Sequence, residues 1–300
     1  MLKVLVNYVL DVTKKYIKMK IFVLGYKGML GRYVYDYFYK DYEVIGLARD
    51  ILDASKSTEI ALRAILFHNL AKEGDVIINC MGVIRPHGMD GKDRVNTIMV
   101  NSIFPNLLAD VCEERGYKLI HVSTDCVFSG ADGNYTEKSP HDPVDVYGMT
   151  KSLGEPPNCT VVRTSIVGEE VGTSKSLIEW VKSQDGNTIN GYTNHRWNGV
   201  SCYQLAKVFE DIVKNNKYWD GVRHIYSPDS VTKHDLVQMI IKTHNLNIEV
   251  VPFETDTMCD RTLSTSVFDD ETFAPYSLTF DIPYIQTQLE EQKNNPPYVE

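Results

Sequence analysis

Lys20-Ile-Phe-Val-Leu-Gly25-Tyr-Lys-Gly28-Met-Leu-Gly31 decides how this chain is read. The apolar run Ile21–Leu24 makes a short buried strand, three glycines at intervals of three follow it, and a helical pattern then covers Met29–Tyr39. Gly25 permits a tight turn, Gly28 lets the backbone approach a pyrophosphate, and Gly31 lets helix pack on strand, while the helix N-terminus faces the phosphates. The spacing G-x-x-G-x-x-G varies the G-x-G-x-x-G device, and such a turn can also exist without a ligand. Gly25, Tyr26, Lys27, Gly28, Met29, Leu30 and Gly31 are therefore the first candidates to touch a dinucleotide.

Outward from this turn, strand-like runs at Glu43–Leu47, Val76–Cys80, Leu119–Val122 and Val161–Arg163 alternate with helical patterns at Ile60–Ala71, Val95–Arg115 and Val146–Leu153. That alternation predicts an α/β fold, a doubly wound parallel-sheet Rossmann domain with helices on both faces. After Thr164 the rhythm loosens. Loops rich in Gly, Asn and Thr (Gly186–Asn198) precede a helix at Tyr203–Lys214, a strand at His224–Tyr226, a helix at Lys233–Thr243 and a strand at Ile248–Val251. The expected organisation is an extension over 1–18, a dinucleotide-binding domain over 19–164 with returns near 196–226, and a smaller, mainly substrate-binding C-terminal lobe over 165–300. Glu290–Glu300, polar and carrying Pro296-Pro297, is expected to fray.

Three hundred residues can bury one large core with an appended lobe. The formal charge of −9 argues against non-specific nucleic-acid binding, although a few local cations and helix ends can still hold an anion. Six cysteines are scattered without C-x-x-C or a His-rich partner, a pattern of free thiols in a reducing cytoplasm rather than of a disulfide framework or a metal site. No apolar run approaches a membrane span, and the first eighteen residues lack the features of a signal peptide.

Tyr147-Gly-Met-Thr-Lys151 follows the run Leu119–Cys126 by about twenty residues. Helical spacing stacks phenol and ammonium on one face, and a nearby ammonium pulls a phenol pKa down, making a usable proton donor. The Ser/Thr-rich strand end supplies a hydroxyl to hold a carbonyl oxygen. With a nicotinamide cofactor, this set points to carbonyl reduction. Arg49, ending the second strand beside Asp50, and Lys27 favour NADPH through its 2′-phosphate; alternatively Arg49 pairs with Asp50 or Asp53. Asn79-Cys80-Met81-Gly82 would pass under the ribose and nicotinamide, with a strand-end turn cap as the other role for Asn79.

The glycine turn, Asn79–Gly82, Val122-Ser-Thr-Asp-Cys-Val-Phe-Ser-Gly130, Asn134-Tyr-Thr-Glu137 and Tyr147-x-x-x-Lys151 together resemble the extended short-chain dehydrogenase/reductases, and within them the dTDP-4-dehydrorhamnose reductase family. The resemblance runs from about Met19 to at least Tyr226. It implies that Thr124 binds the sugar C4 oxygen, Tyr147 protonates it, and Lys151 holds the nicotinamide ribose and lowers the Tyr147 pKa. One position departs. Cys126 stands where the simple reductases carry Tyr, and it resembles GDP-fucose synthase and the bifunctional rhamnose epimerase-reductases, the latter making UDP-rhamnose. Those enzymes invert C3 and C5, whose protons are acidic beside the C4 ketone, through an enolate held as an oxyanion. Inversion takes two groups. Cys126, its thiolate favoured beside a cation, is one; the resemblance places the other at Lys175. Both also admit plainer roles, Cys126 as core packing and Lys175 on a solvated face. On the substrate side the resemblance gives Arg261 to the diphosphate. Arg85 and His87 could reach the sugar, Arg196 the base or diphosphate, and Trp180 and Tyr192 the base unless they pack in the core.

These residues lead to an NADPH-dependent enzyme that epimerises and then reduces a nucleotide 4-keto-6-deoxyhexose. A 4-reductase alone is the narrower alternative. A non-catalytic, NADP-binding regulatory subunit is the third, and the joint presence of Thr124, Tyr147 and Lys151 speaks against it. The nucleotide stays open among UDP, dTDP and GDP. A homodimer through the Tyr147 helix is compatible with the family pattern.

Overall fold

The computed structural model describes residues 19–69, 71–84, 91–172, 176–266 and 280–297, so residues 1–18 lie outside it. Strands β1 (Lys20–Leu24), β2 (Glu43–Leu47), β3 (Val76–Asn79), β4 (Lys118–Thr124) and β5 (Thr160–Thr164) alternate with helices α1 (Met29–Tyr39), α2 (Glu59–His68), α3 (Gly91–Ile98), α4 (Phe104–Arg115) and α5 (Val146–Ser152). Next come β6 (Ile166–Val167), α6 (Leu177–Lys182), β7 (Thr188–Tyr192), β8 (His195–Trp197), β9 (Val200–Ser201), α7 (Cys202–Lys214) and β10 (Gly221–His224). β11 (Val231–Thr232), α8 (Lys233–His244), β12 (Glu249–Phe253), β13 (Cys259–Asp260) and α9 (Ile285–Asn294) complete the described elements.

The main sheet has the order β10-β5-β4-β3-β1-β2, and every neighbouring pair is parallel. Period-two alternation puts Ile21, Val23, Val76, Ile78, Ile120 and Val162 on one face, packed against Leu30, Val34 and Phe38 of α1 and Leu205, Phe209 and Ile212 of α7. Phe22, Leu24, Ile77, Leu119 and Val161 face the other way, onto Leu62 and Leu66 of α2 and Phe104, Leu108 and Val111 of α4. Helices therefore cover both faces, as the alternating pattern requires. The chain runs outward from β1 to β2 and then crosses back to β3. Strand order reverses between β1 and β3, which opens a crevice at their carboxyl ends.

A second, smaller core joins Val167, Ile178, Val181, Ile189, Trp197, Val231, Leu236, Ile240, Ile285 and Leu289. Among the described residues, no helix is long and apolar enough to cross a membrane.

Four local expectations change. The stretch Gly186–Asn198, read as loop, holds β7 and β8, because β7 gains a parallel partner in β12 and β8 pairs with β11 and β13. The strand expected at His224–Tyr226 is Gly221–His224, in register with β5 from Gly221↔Thr160 to His224↔Arg163. The helix expected over Val95–Arg115 is broken by a π-helical turn, Met99–Ile103. There Asn101 bonds both backbone groups of Val83, and the Ser102 hydroxyl donates to the Thr150 carbonyl at 2.7 Å. Finally, α9 runs to Asn294 because Gln288, Leu289 and Gln292 are buried.

Candidate active site

Gly31 sets the first part of the site. A Cβ at this position would lie 2.1 Å from the Gly25 carbonyl oxygen, so only glycine lets α1 start this close to β1. Gly28 is the N-cap of α1 and brings no side-chain cap, leaving the helix end to an anion from outside. In front of it lies a cleft of about 270 Å³ lined by Gly25, Lys27, Gly28, Ala48, Arg49, Leu52, Asp53, Ala54, Cys80, Met81, Gly82, Val83, Asn96 and Val100. The glycine cap, an apolar wall and two cations fit a dinucleotide.

Seven of the residues expected to touch a cofactor line this cleft: Gly25, Lys27, Gly28, Arg49, Cys80, Met81 and Gly82. Three others are packing groups. The Tyr26 ring lies on Gly46 and 5.1 Å from the Tyr35 ring, Met29 packs on the core, and Leu30 is buried in it. Helix α1 must bury one face on the sheet, which takes Leu30 into the core, while Tyr26 and Met29 stay partly buried against it. Arg49 is 76% exposed, with Nε 3.7 Å from Asp53 Oδ2, so the alternative pairing with Asp53 is formed while the side chain still borders the cleft. Asn79 is wholly buried and serves as the strand-end cap, its Oδ1 accepting from the Met81 N–H at 3.1 Å. The sequence reading missed Ala48, Leu52, Ala54, Val83, Asn96 and Val100; no motif marks them, because the fold brings them together from separate segments after β2 and β3.

The second part forms where β4 ends. Thr124 caps the 3₁₀ turn Asp125–Val127, its Oγ1 accepting from the Cys126 N–H at 3.2 Å. Helix α5, N-capped by Asp145, seats directly on that turn: a Cβ at Gly148 would lie 2.1 Å from the Cys126 carbonyl oxygen. Thr124, Cys126 and Tyr147 are thereby brought together. The Tyr147 phenol is pushed up by burial first and by Cys126 next, while a hydrogen bond with the Thr124 hydroxyl lowers it. The expected depression by Lys151 is not found. The Lys151 ammonium is turned onto the Val122 carbonyl at 2.7 Å, and burial lowers it to about 8.

Cys126 also departs from expectation. Arg261 Nη1 is 3.7 Å from its Sγ, the cation the thiolate reading asked for, yet burial and then Asp125 push the thiol up to about 12. It rests as a neutral thiol. Arg261 also donates through Nε to the Phe128 carbonyl at 2.9 Å. Arg196 stands one strand away, opposite Asp260 in register, with Nη2 2.5 Å from Ser230 Oγ and Nε 3.7 Å from Asp260 Oδ2. The sequence reading missed Lys233, the first residue of α8. Its Nζ sits 5.2 Å over the Trp197 ring; burial lowers its pKa, while Asp125, Cys126 and Cys259 favour its charge. Trp180 is 39% exposed on α6, and the exposed Tyr192 lies tilted against the His195 ring, 5.0 Å between centroids, rather than in the core. Lys175, Arg85 and His87 lie outside the described residues.

Behind both parts runs a buried polar layer. Glu155 takes Arg163 bidentately, at 3.0 and 2.6 Å, and accepts from Ser123 at 2.5 Å. Arg163 meets His224 Nε2 at 2.9 Å and His141 Nε2 at 2.7 Å. This layer holds the strand carrying Thr124 against the end of α5.

A profile described as RmlD substrate binding domain matches residues 19–273. The chain is 30% identical over 178 residues to the probable low-salt glycan biosynthesis reductase Agl14 of Haloferax volcanii, covering 55% of this chain and 58% of that one. It is 28% identical over 239 residues to a probable dTDP-4,6-dihydroxy-2-methyloxan-3-one 4-ketoreductase of Streptomyces antibioticus, covering 75% and 77%. It is also 30% identical over 248 residues to methionine adenosyltransferase 2 subunit beta of Xenopus laevis, covering 75% and 72%. Among solved structures, the dTDP-4-dehydrorhamnose reductase of Bacillus anthracis in complex with NADP shares the fold, with a TM-score of 0.75 at 18% identity over 93% of this chain and 100% of that one.

Proposed function

The chain belongs to the RmlD substrate-binding-domain family, and from that premise we propose that it reduces the C4 ketone of a nucleotide 4-keto-6-deoxyhexose with NADPH. The observation that carries this reading is the seating of Gly148 on the Cys126 carbonyl, which gathers Thr124 and Tyr147 at the end of β4 while Lys151 lies behind them. The similarity to a 4-ketoreductase over three quarters of the chain supports the same chemistry.

NADPH, when bound, supplies the hydride. Gly25, Gly28 and the α1 N-terminus would hold its pyrophosphate, and Lys27 and Arg49 its 2′-phosphate. Thr124 and Tyr147 hold the ketone oxygen, and the phenol, protonated at neutral pH because burial keeps it so, gives that oxygen its proton. Burial lowers Lys151 to about 8, so its ammonium would be a ready proton source to replace the one Tyr147 gives up.

Epimerisation at C3 and C5 before reduction is the finer part of the proposal. Cys126 lies beside Thr124 and Tyr147 as a thiol, fit to give a proton to an enolate carbon, with Arg261 on its sulfur to carry the charge left behind. Lys175 would be the opposing group. A nucleotide diphosphate would lie towards Arg261 and Arg196.

A second reading has one observation in its favour, the likeness to a protein named as a subunit of another enzyme. On that reading the cleft binds NADP and nothing is turned over. Incubation with NADPH and the UDP-, dTDP- and GDP-linked 4-keto-6-deoxyhexoses, with products read by NMR, separates the two. A rhamnose-type product supports the full proposal, a C4-reduced sugar without inversion the reductase alone, and binding without turnover the subunit.

A further inference from the structure

His121 occupies the middle of β4, wholly buried, between Ile120 and Val122 on an interior strand of the main sheet. It stands in register with Asn79 on β3, and its Nδ1 is 3.0 Å from Asn79 Nδ2. The other end of that amide fixes its orientation, because Asn79 Oδ1 accepts from the Met81 N–H. Nδ2 therefore donates to the ring, Nδ1 carries no proton, and Nε2 carries one. The ring also interacts with the backbone of Gly154, two residues beyond α5, which favours its protonated form. Burial, and Lys151 beside it, hold the ring well below its ordinary range, so it stays neutral.

This tautomer has a consequence for Lys151, whose Nζ is 3.5 Å from His121 Nε2. An N–H edge cannot accept from an ammonium. Lys151 is left to donate to the Val122 carbonyl. One chain of contacts thus runs from Met81 on the cleft wall through Asn79 and His121 to Gly154 at the end of the Tyr147 helix.

We propose that His121 is a positioning residue: it clamps the Asn79–Met81 edge of the cleft to the end of α5 and so sets where Lys151 would meet the ribose of a bound cofactor. The inference rests on reading the cleft as the NADPH site. Two substitutions in the full chain test it. His121→Gln keeps an acceptor for Asn79 and a donor for Gly154, whereas His121→Leu keeps neither. Circular dichroism checks the fold, protein fluorescence gives the NADPH Kd, and turnover with the 4-keto sugar gives kcat. In folded His121→Leu the expected result is NADPH affinity and kcat each reduced by about tenfold or more, while His121→Gln stays within about threefold of the parent, the scale of a small misplacement in an active site. A role in stability alone would lower the melting temperature and leave both constants unmoved. Unchanged constants in folded His121→Leu overturn the proposal. Should that variant not fold, Asn79→Ser removes the donor to the ring from the other side; the same losses are expected, and parental constants overturn the proposal. NADPH binding needs no sugar, so a lack of turnover on every 4-keto sugar would sink the substrate reading while the Kd still decides for or against the clamp. A parent protein that does not bind NADPH ends both.

Discussion

Arg261 and Cys126, 135 positions apart in sequence, meet with Nη1 3.7 Å from Sγ, and yet the thiol keeps its proton. Burial of the sulfur and the neighbouring Asp125 outweigh the guanidinium. Alkylation of Cys126 by iodoacetamide should therefore climb with pH well past the ordinary thiol range without levelling off, towards a midpoint of about 12. Cys126→Ser identifies its share of the signal, and Arg261→Met should slow the reaction further. A plateau near neutral pH would return Cys126 to the thiolate role.

Tyr147→Phe removes the proposed acid and little else, because the ring stays in place. NADPH binding should persist while turnover falls by about 10² or more, the weight of a positioned general acid. Single-turnover reduction measured against the parent checks it, and near-normal reduction rules the assignment out.

Arg49 borders the cleft with three quarters of its side chain in solvent, so its contribution to a 2′-phosphate should be modest. Arg49→Ala is expected to weaken NADPH by about 1–2 kcal/mol, towards the low end for a hydrogen bond to a charged group, and to leave NADH almost unchanged. Fluorescence titration with both cofactors decides, and equal affinities in the parent protein contradict the preference.

Gly148→Ala adds one methyl group where a Cβ would be 2.1 Å from the Cys126 carbonyl. Helix α5 must back away, at a cost of about 1–3 kcal/mol for overpacking. Turnover should fall more steeply than stability, since the same shift withdraws Tyr147 from Thr124. Urea unfolding and kcat, measured together, show whether the two effects separate; a variant with parental kcat would mean that the seating does not set the site.

His224 gives the fold an acid limit. Burial holds its imidazole down to about 4, so the folded protein keeps it neutral while the unfolded chain protonates it below about 6.5. Its contribution is whole above that unfolded value and is lost as pH falls from about 6.5 to 4, at up to about 1.4 kcal/mol per pH unit for one proton. Glu137, which burial raises but which is held low on balance, with the Ser266 and His224 backbone N–H groups donating to its carboxylate, adds its own loss only in the ordinary carboxylate range and below. Urea midpoints at pH 7, 5.5 and 4.5 should drop in step, less so in His224→Gln; a flat profile in the parent would contradict this account.

The sequence by itself determined the parts of this protein that are local. Strand β1, its glycine turn and α1 follow from a period change and from three residues without side chains, and the parallel sheet follows from repeating that unit. Thr124 and Tyr147 were legible because a strand end and a helical spacing are short-range features. Tertiary structure alone decided which charges these groups carry. The spacing of Tyr147 and Lys151 suggested a depressed phenol, but pKa depends on what surrounds a group from every side, and burial raised it. The same holds for Cys126, where Asp125 and a closed environment overrule Arg261. His121 and Lys233 went unread for a related reason: a histidine within an apolar strand and a lysine at a helix start carry no motif. Their partners, Asn79 and Lys151 for the one, Asp125 and Trp197 for the other, are joined only by long-range packing of β3, β4, α5 and α8.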